Sequence, residues 1–158
     1  MPHTYTQLYV HIIFGVKNRS SLIPRANKEE LHKYITGIVA NKQCKMVAIN
    51  SEPDHIHILA SLHAKLALSD LIRDIKANST TFVKKKGWNN FFGWQEGFGA
   101  FSCSESHKQE VIRYIENQEI HHRKKSFREE YLEFLKVYRI PYDPRYVFDP
   151  EETLKENP

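Results

Sequence analysis

The chain has 158 residues, of which 41% are hydrophobic, so it can bury one good core but not two, and we expect a single domain. It contains no run of about 18 apolar residues, which excludes a transmembrane helix, and its first residues lack the pattern of a secretion signal. A net charge of +4 is only mildly basic, and two distant cysteines argue against a thiolate zinc site. We expect a soluble cytoplasmic protein with reduced cysteines.

The first half of the chain alternates between strand and helix patterns. Apolar residues at every second position between Leu8 and Lys17 predict a strand. Asn27 and Glu30 match the capping-box pattern and predict the start of a helix. Two further strands flank the turn-forming segment 51–54 and predict a hairpin. In chain order, the predicted elements are a strand at 8–17, a helix at 27–42, strands at 45–50 and 55–62, and a helix at 69–87.

The second half predicts one more strand, two helices and a tail. Ser126 and Glu129 form another capping-box pattern, and the sequence from Pro141 onward is rich in proline and lacks apolar periodicity. The predicted elements are a strand at 98–104, helices at 106–123 and 126–138 within a domain of residues 1–140, and an extended tail at 141–158. The order βαββαβ predicts an α+β ferredoxin-like sandwich with an antiparallel sheet, in which the first and third strands are central neighbours.

Two histidines, His55 and His57, lie one residue apart within the third predicted strand. Because side chains alternate along a strand, both imidazoles point to one face while Ile56 and Ile58 point to the other. Two neutral imidazoles on a rigid strand supply half of a metal site. Taken alone, an H-x-H pair is more often a strand with two partly exposed polar residues, so further ligands are needed before it indicates chemistry.

The helix after the fourth strand places two polar side chains on one face. Tyr114 and Gln118 are four residues apart, so the phenol lies one helical turn from the amide oxygen. A tyrosine on an amphipathic helix is usually a half-buried packing residue, and a glutamine on such a helix is usually structural as well. The combination of Tyr114 and Gln118 with the histidine pair is what favours a catalytic function.

These residues carry a resemblance to a known family. His55-Ile56-His57 resembles the His-hydrophobic-His (HUH) motif, and the segment from Tyr114 to Gln118 resembles the Y-x-x-x-Q helix of the single-tyrosine HUH transposases. These are small transposases of minimal bacterial insertion sequences that move as single-stranded DNA. The resemblance extends over roughly Leu8 to Leu135 and rests on both motifs at the family spacing, on a matching βαββαβ pattern.

The resemblance implies a mechanism and partners. Tyr114, on the C-terminal helices, would be the catalytic nucleophile that attacks single-stranded DNA and forms a 5′-phosphotyrosine link. His55, His57 and Gln118 would hold one divalent ion; Mg²⁺ prefers oxygen ligands and Mn²⁺ accepts nitrogen, so we expect either to work and Mn²⁺ to bind more tightly. The family also implies hairpins at the element ends and a homodimer in which the tyrosine helix can complete the partner's active site.

Other polar residues are candidates for contacts with the histidines or with DNA. His11, on the neighbouring central strand, can approach the site or serve the structure, and Asp54 can orient a histidine or form the turn. The candidates for contacts with the DNA backbone are the basic residues Lys17, Arg19, Lys76, Lys84, Lys85, Lys86, Arg123 and Lys124.

The alternative functions either require a motif that this sequence lacks or use the same chemistry as the HUH transposases. A histidine-triad hydrolase needs a third histidine where Leu59 stands, and an H-x-T phosphoesterase needs a second such motif. Replication initiators and relaxases carry the histidine pair, usually in larger proteins. A domesticated nuclease that acts on palindromic genomic repeats stays open. From a different class, a ferredoxin-like RNA-binding module requires aromatic residues on its central strands, and residues 55–62 contain none.

Overall fold

The computed structural model describes residues 3–122 and 124–148, and for Arg19, His121 and His122 it describes the backbone only. The strands are β1 (Tyr9–Gly15), β2 (Lys45–Glu52), β3 (His55–Ser61) and β4 (Gly99–Cys103). The helices are α1 (Lys28–Asn41), α2 (Leu68–Lys85), α3 (Lys108–Glu116), α4 (Gln118–His122) and α5 (Phe127–Val137). Among these residues, no helix combines the length and the apolar character needed to cross a membrane.

The four strands form one antiparallel sheet in the order β2-β3-β1-β4. Strands β3 and β1 are therefore central neighbours, and α1 and α2 follow β1 and β3 in the chain. A short turn at Pro53 and Asp54 joins β2 to β3, where the register pairs Glu52 with His55. The predicted hairpin and the predicted ferredoxin-like α+β fold are both confirmed.

The two faces of the sheet pack against different helices. Ile12 and Ile58 lie on the first face, in the main core with residues of α1 and α2, and burial of each such side chain contributes about 1.5–3 kcal/mol. Ile13 lies on the second face, where it packs with residues of α5, while α3 contacts β2 and β3. Because side chains alternate along a strand, His55 and His57 belong to this second face.

Two glycines allow α5 to lie close to the sheet. A Cβ atom added to Gly15 would lie 2.6 Å from the ring of Phe127, and one added to Gly99 would lie 2.8 Å from the ring of Tyr131. Both distances are shorter than the roughly 3.5–4.0 Å that non-bonded carbon atoms prefer. The missing side chains at these two strand positions therefore set how closely α5 packs on the second sheet face.

The predicted single helix at 106–123 is wrong, because the structure divides it at Asn117. This residue has φ −98° and ψ 22°, so α3 ends before it and α4 begins after it. The side-chain amide of Asn50 on β2 donates hydrogen bonds to the carbonyls of Ile115 (2.9 Å) and Glu116 (3.3 Å). A helix end leaves such carbonyls without intrahelical partners, and here β2 supplies a donor for them.

The two predicted capping boxes have different outcomes. The hydroxyl of Ser126 accepts a hydrogen bond from the backbone N–H of Glu129 at 3.2 Å, so this N-cap is confirmed. Asn27 precedes α1, but its side chain makes no capping hydrogen bond. A 3₁₀ turn at Arg25–Asn27 leads into α1 and gives Asn27 φ −108° and ψ 1°, whereas a capping side chain requires an extended backbone.

The segment after α5 packs back onto the second sheet face. Residues 141–148 form turns and contain neither helix nor strand, and Phe148 is buried against Phe127 and Tyr131. The predicted domain boundary at residue 140 stays a prediction. Of the tail predicted at 141–158, residues 149–158 lie outside the described residues.

Candidate active site

His55 and His57 lie on the central strand β3, and both side chains are fully buried, at 0% exposure. Their ring centroids are 5.1 Å apart, with the ring planes at 78°. Ile56, between them, packs into the main core on the opposite face. The imidazoles therefore lie on the same face of the sheet, and their burial means that they are not the partly exposed polar residues of an ordinary surface strand.

A polar partner engages the Nδ1 atom of each histidine. Asp54 Oδ1 lies 2.6 Å from His55 Nδ1, and His11 Nε2 lies 2.9 Å from His57 Nδ1. Burial lowers the pKa of His11 to about 3, so His11 is neutral and can accept a hydrogen bond from His57. With both Nδ1 atoms engaged, the two Nε2 atoms face the rest of the site, which is the arrangement typical of metal-binding histidines.

Tyr114 and Gln118 approach the histidines from the helices. Gln118 is fully buried, and its Oε1 lies 3.2 Å from Nε2 of His55. The ring of Tyr114 lies 5.8 Å from the ring of His57, centroid to centroid. The structure thus brings together, within one chain, the four residues of the two sequence motifs.

Glu130 of α5 completes this cluster, although neither sequence motif contains it. It is buried, and its Oε1 lies 2.8 Å from His57 Nε2 and 3.8 Å from His55 Nε2. Its Oε2 accepts hydrogen bonds from the Tyr114 hydroxyl and from Gln118 Nε2, the latter at 3.4 Å. One carboxylate therefore lies between the histidine pair and the two helical residues.

The pattern of α5 contains a signal that could have identified Glu130. Phe127, Tyr131 and Leu135 form the buried face of this helix, and Glu130 follows Phe127 by three residues, on the same face. A carboxylate on the apolar face of a helix is rare, because burial of an unpaired charge is costly. Such a position indicates either a buried ion pair or a functional carboxylate.

The cluster has the donors and the spacing of a divalent-metal site. One ligand atom each from His55, His57 and Glu130 lies within 4.8 Å of the others, and the amide oxygen of Gln118 adds a fourth donor. Adjacent ligands of an octahedral ion with bonds of about 2.1 Å lie about 3 Å apart, close to the shorter separations in this cluster. Imidazole nitrogens combined with amide and carboxylate oxygens suit Mn²⁺ and are compatible with Mg²⁺.

Tyr114 is held in its protonated form. Burial of the phenol, followed by the adjacent carboxylate of Glu130, raises the pKa of Tyr114 well above its ordinary value of 10.0. A protonated phenol is a poor nucleophile at neutral pH. An attack by Tyr114 would therefore need a base that takes the phenol proton or a nearby positive charge that stabilises the phenolate.

A cavity of about 460 Å³ opens beside Tyr114 and Glu130. Its walls include Phe134 and Tyr138 of the α5 region, and Lys124 lies at its edge. Aromatic side chains beside a cation suit a nucleotide, because bases stack on aromatic rings and phosphates pair with lysine. The cavity is bordered by Tyr114, so a ligand in it would contact this residue.

The predicted contacts with the DNA backbone lie in different parts of the fold. The structure brings Lys124 to the cavity beside Tyr114, and Lys17 is exposed just after β1. Arg123 and the side chain of Arg19 lie outside the described residues. The remaining exposed lysines lie at the end of α2, a helix that packs on the sheet face opposite Tyr114: Lys84, Lys85 and Lys86.

Lys76 makes structural contacts that the sequence does not reveal. Its ammonium group donates hydrogen bonds to the backbone carbonyls of Gln95 (2.8 Å) and Gly97 (2.7 Å), in the loop before β4. The same group lies 5.1 Å from the centroid of the Phe14 ring. These contacts hold the loop to the core and argue against Lys76 as a contact with DNA.

Comparison with known proteins places the chain in a family. The model of the IS200-like transposase family matches residues 4–118. The ISDra2 transposase TnpA of Deinococcus radiodurans is 27% identical over 119 residues, which cover 71% of this chain and 84% of that protein. Glu130 lies beyond the segment that matches the family model.

Two solved structures share the fold. A protein from Deinococcus radiodurans, described as a transposase, gives a TM-score of 0.58 at 20% identity, over 73% of this chain and 94% of that one. A REP-associated tyrosine transposase bound to a REP hairpin gives a TM-score of 0.58 at 19% identity, over 76% of this chain and 72% of that one. At these identities the similarity concerns the fold alone. Because the family model matches most of its length, the chain belongs to the IS200-like transposases.

Proposed function

We propose that this protein cleaves and rejoins single-stranded DNA, with Tyr114 as the nucleophile and a divalent ion held by His55, His57 and Gln118. The observation that carries the proposal is the convergence of the phenol, the amide and the two imidazoles on one buried cluster within a single chain. Membership of the transposase family supports DNA as the substrate.

Tyr114 would act at a phosphorus atom of the DNA backbone. Its oxygen forms a bond to phosphorus while the bond from phosphorus to the 3′ oxygen breaks, which leaves a 5′-phosphotyrosine and, after protonation by water, a free 3′-hydroxyl. The phenol proton has an acceptor in place, because Tyr114 donates a hydrogen bond to Glu130 Oε2. A bound divalent ion would stabilise the negative charge that builds on the phosphate oxygens.

Rejoining would follow the same path in reverse. A 3′-hydroxyl attacks the phosphotyrosine, the bond from phosphorus to the Tyr114 oxygen breaks, and Tyr114 recovers a proton. The covalent link keeps the free energy of the phosphodiester, so rejoining needs no ATP. His11 and Asp54 support both directions, since their contacts with the Nδ1 atoms orient the two imidazoles throughout.

For the DNA partner, we propose single strands with hairpins at the element ends. A protein of the same fold was solved bound to a REP hairpin, and the mildly basic net charge of +4 is compatible with a polyanionic partner. A homodimer is part of the proposal. In the single chain, Tyr114 lies against its own histidine pair, which supports the version of the proposal in which each protomer of the dimer uses its own tyrosine.

The similarity to a REP-associated transposase favours a second candidate function with the same chemistry, a domesticated nuclease that acts on palindromic genomic repeats. The DNA around the gene distinguishes the two functions. Imperfect hairpins close to both ends of the gene would indicate a mobile element. Dispersed palindromic repeats elsewhere in the genome, with none flanking the gene, would indicate the nuclease.

The test of the proposed function is a covalent adduct. The protein is incubated with a single-stranded oligonucleotide that carries a hairpin from its own flanking DNA, with Mg²⁺ or Mn²⁺, and adducts that resist denaturant are measured. Tyr131→Phe, which removes a buried phenol outside the cluster, is the matched control. We expect adducts from the wild type and from this control, and none from Tyr114→Phe or in the presence of a chelator.

Each component of the proposal has its own contradicting result. Equal adduct from Tyr114→Phe would exclude Tyr114 as the nucleophile. Normal cleavage by His55→Ala would exclude the metal site. A shift of DNA or RNA mobility without any adduct would indicate a binding protein that lacks the catalytic activity.

A further inference from the structure

We propose that Glu130 is a ligand of the divalent ion, contributed by α5 in addition to the two histidines and Gln118. The inference rests on the proposed function, since it concerns the metal of that same site. It adds a carboxylate from a helix that lies beyond the segment matched by the family model. Because the same carboxylate accepts a hydrogen bond from the Tyr114 hydroxyl, Glu130 of α5 would link the ion to the nucleophile.

The burial of Glu130 is the first support. The side chain is 3% exposed, and the neighbours of its carboxylate include two imidazoles, a phenol and an amide. Burial of a carboxylate costs several kcal/mol, and a cation at the adjacent histidines would offset part of this cost.

The positions of the carboxylate oxygens are the second support. Oε1 faces the Nε2 atoms of both His57 (2.8 Å) and His55 (3.8 Å), the two atoms that a metal would bind. Gln118 Oε1 lies 3.2 Å from His55 Nε2. These separations resemble those between adjacent ligands on one ion, about 3 Å. His55, His57, Gln118 and Glu130 would hold the ion, which could also bind a phosphate oxygen of the DNA.

The placement of α5 is the third support. The Ser126 cap fixes the first turn of the helix, and Gly15 and Gly99 allow its buried face to approach the sheet. Phe127, three residues before Glu130, and Tyr131, the residue after it, are buried against that face. Glu130 therefore reaches the histidines from a packed helix rather than from a loop, which gives the positional accuracy that a metal ligand requires.

The charge of Glu130 predicts a specific effect on metal preference. Two neutral imidazoles and an amide bring no negative charge to the ion, and Mg²⁺ binds such nitrogen-rich sites poorly. A carboxylate supplies both a hard oxygen and a full negative charge. Loss of Glu130 should therefore weaken Mg²⁺ more than Mn²⁺.

The experiment measures metal binding to the full chain without DNA. Mn²⁺ is titrated by calorimetry and by the electron paramagnetic resonance signal of free Mn²⁺, and Mg²⁺ by competition. The variant Glu130→Gln removes the charge and keeps the shape; the control is Glu129→Gln, an exposed glutamate on the same helical turn. We expect Glu130→Gln to bind Mn²⁺ about tenfold or more weakly, and Glu129→Gln to bind within about twofold of wild type.

The contrary result has a clear structural meaning. If Glu130→Gln binds Mn²⁺ as tightly as wild type, or more tightly, the carboxylate blocks the histidines instead of ligating the ion, and the inference is overturned. If the wild type itself binds no Mn²⁺, the metal site of the proposed function fails and the inference fails with it. If wild type binds and His57→Ala does not, the metal site holds and Glu130→Gln alone decides the inference.

A further variant and measurement cover the case in which Glu130→Gln does not fold. Glu130→Asp keeps the carboxylate on a shorter side chain, so we expect Mn²⁺ affinity between those of wild type and of a site without a carboxylate. An ion bound by both β3 and α5 should also raise the melting temperature of the wild type by mass action. Unchanged Mn²⁺ affinity in Glu130→Asp, together with an unchanged metal-induced rise in melting temperature, would contradict the inference.

Discussion

The Nε2 atom of His11 lies 2.9 Å from the Nδ1 atom of His57, across the two central strands of the sheet. This contact lies on the side of His57 away from Glu130, so it fixes the ring without occupying the Nε2 atom. Outer partners of this kind orient a ligating imidazole and increase its basicity. The contact between His11 and His57 gives the first prediction.

We expect His11→Phe to weaken Mn²⁺ binding by about 10- to 100-fold, because the hydrogen bond to His57 is lost. Phenylalanine keeps an aromatic ring against Phe134, whose centroid lies 5.4 Å from that of His11, so the packing is largely preserved. The measurement is a Mn²⁺ titration, with the exposed His107→Ala as the control. Wild-type affinity in His11→Phe would show that His57 needs no outer partner.

The link between Asn50 and the end of α3 gives a second prediction. Asn50→Ala removes the donor to the carbonyls of Ile115 and Glu116, so we expect a loss of about 1–3 kcal/mol in the free energy of unfolding. Adduct formation should slow as well, because α3 carries Tyr114. Urea denaturation and the adduct assay measure the two effects, with Asn78→Ala on the exposed side of α2 as the control. Equal stability of wild type and Asn50→Ala would contradict this role.

The close approach of α5 to the sheet gives a third prediction. A Cβ atom at Gly15 would lie 2.6 Å from Phe127 and 2.9 Å from the Gln95 side chain, so we expect Gly15→Ala to destabilise the fold by about 1–3 kcal/mol. Gly37→Ala on α1 is the matched control, since its Cβ would meet no atom within 4 Å. That change should stabilise by about 0.4–1 kcal/mol. Thermal melts of both variants test the prediction, and similar melting temperatures would contradict it.

His32 gives a prediction for the pH dependence of stability. Burial, with Lys28 as a second cause, lowers the pKa of His32 from 6.5 to about 4. Between these two values the unfolded chain binds a proton that the native protein does not, so stability falls as the pH falls from 6.5 towards 4. We expect this group to remove about 2 kcal/mol between pH 7 and about pH 4.5.

Urea denaturation of wild type and His32→Gln at the two pH values isolates this contribution. Glutamine cannot titrate and can still bond the hydroxyl of Ser51, which lies 2.8 Å from His32 Nε2. The free energy of unfolding should therefore fall less in His32→Gln than in wild type. The same fall in both proteins would assign the pH dependence to other groups.

The strands and the orientation of the histidine pair could be predicted because they depend on local pattern. Alternating apolar residues between Leu8 and Lys17 identify β1 without reference to the rest of the chain. Side chains alternate between the two faces of a strand, so His55 and His57 lie on one face regardless of what packs against it. The Ser126 cap was equally local, since donor and acceptor are three residues apart.

The remaining features depend on contacts between distant parts of the chain. The end of α3 is set by Asn50, which is 65 residues away from Ile115 in the sequence. Glu130 is 73 residues away from His57, and they meet only because α5 docks on the sheet. The pattern of α5 marks Glu130 as a carboxylate on a buried helix face, but no local pattern specifies where α5 docks, so the site predicted from the two motifs does not include Glu130.

Strand β3 is paired on both sides, with β2 and with β1. Amide protons of a central strand exchange with solvent only when the whole domain unfolds, whereas peripheral helices open in smaller fluctuations. The backbone amides of His55 and His57 should thus be among the slowest to exchange, and those of α3 and α5 faster. The imidazoles thus lie on the element that we expect to open last, whereas the phenol and the carboxylate lie on helices that we expect to open more often.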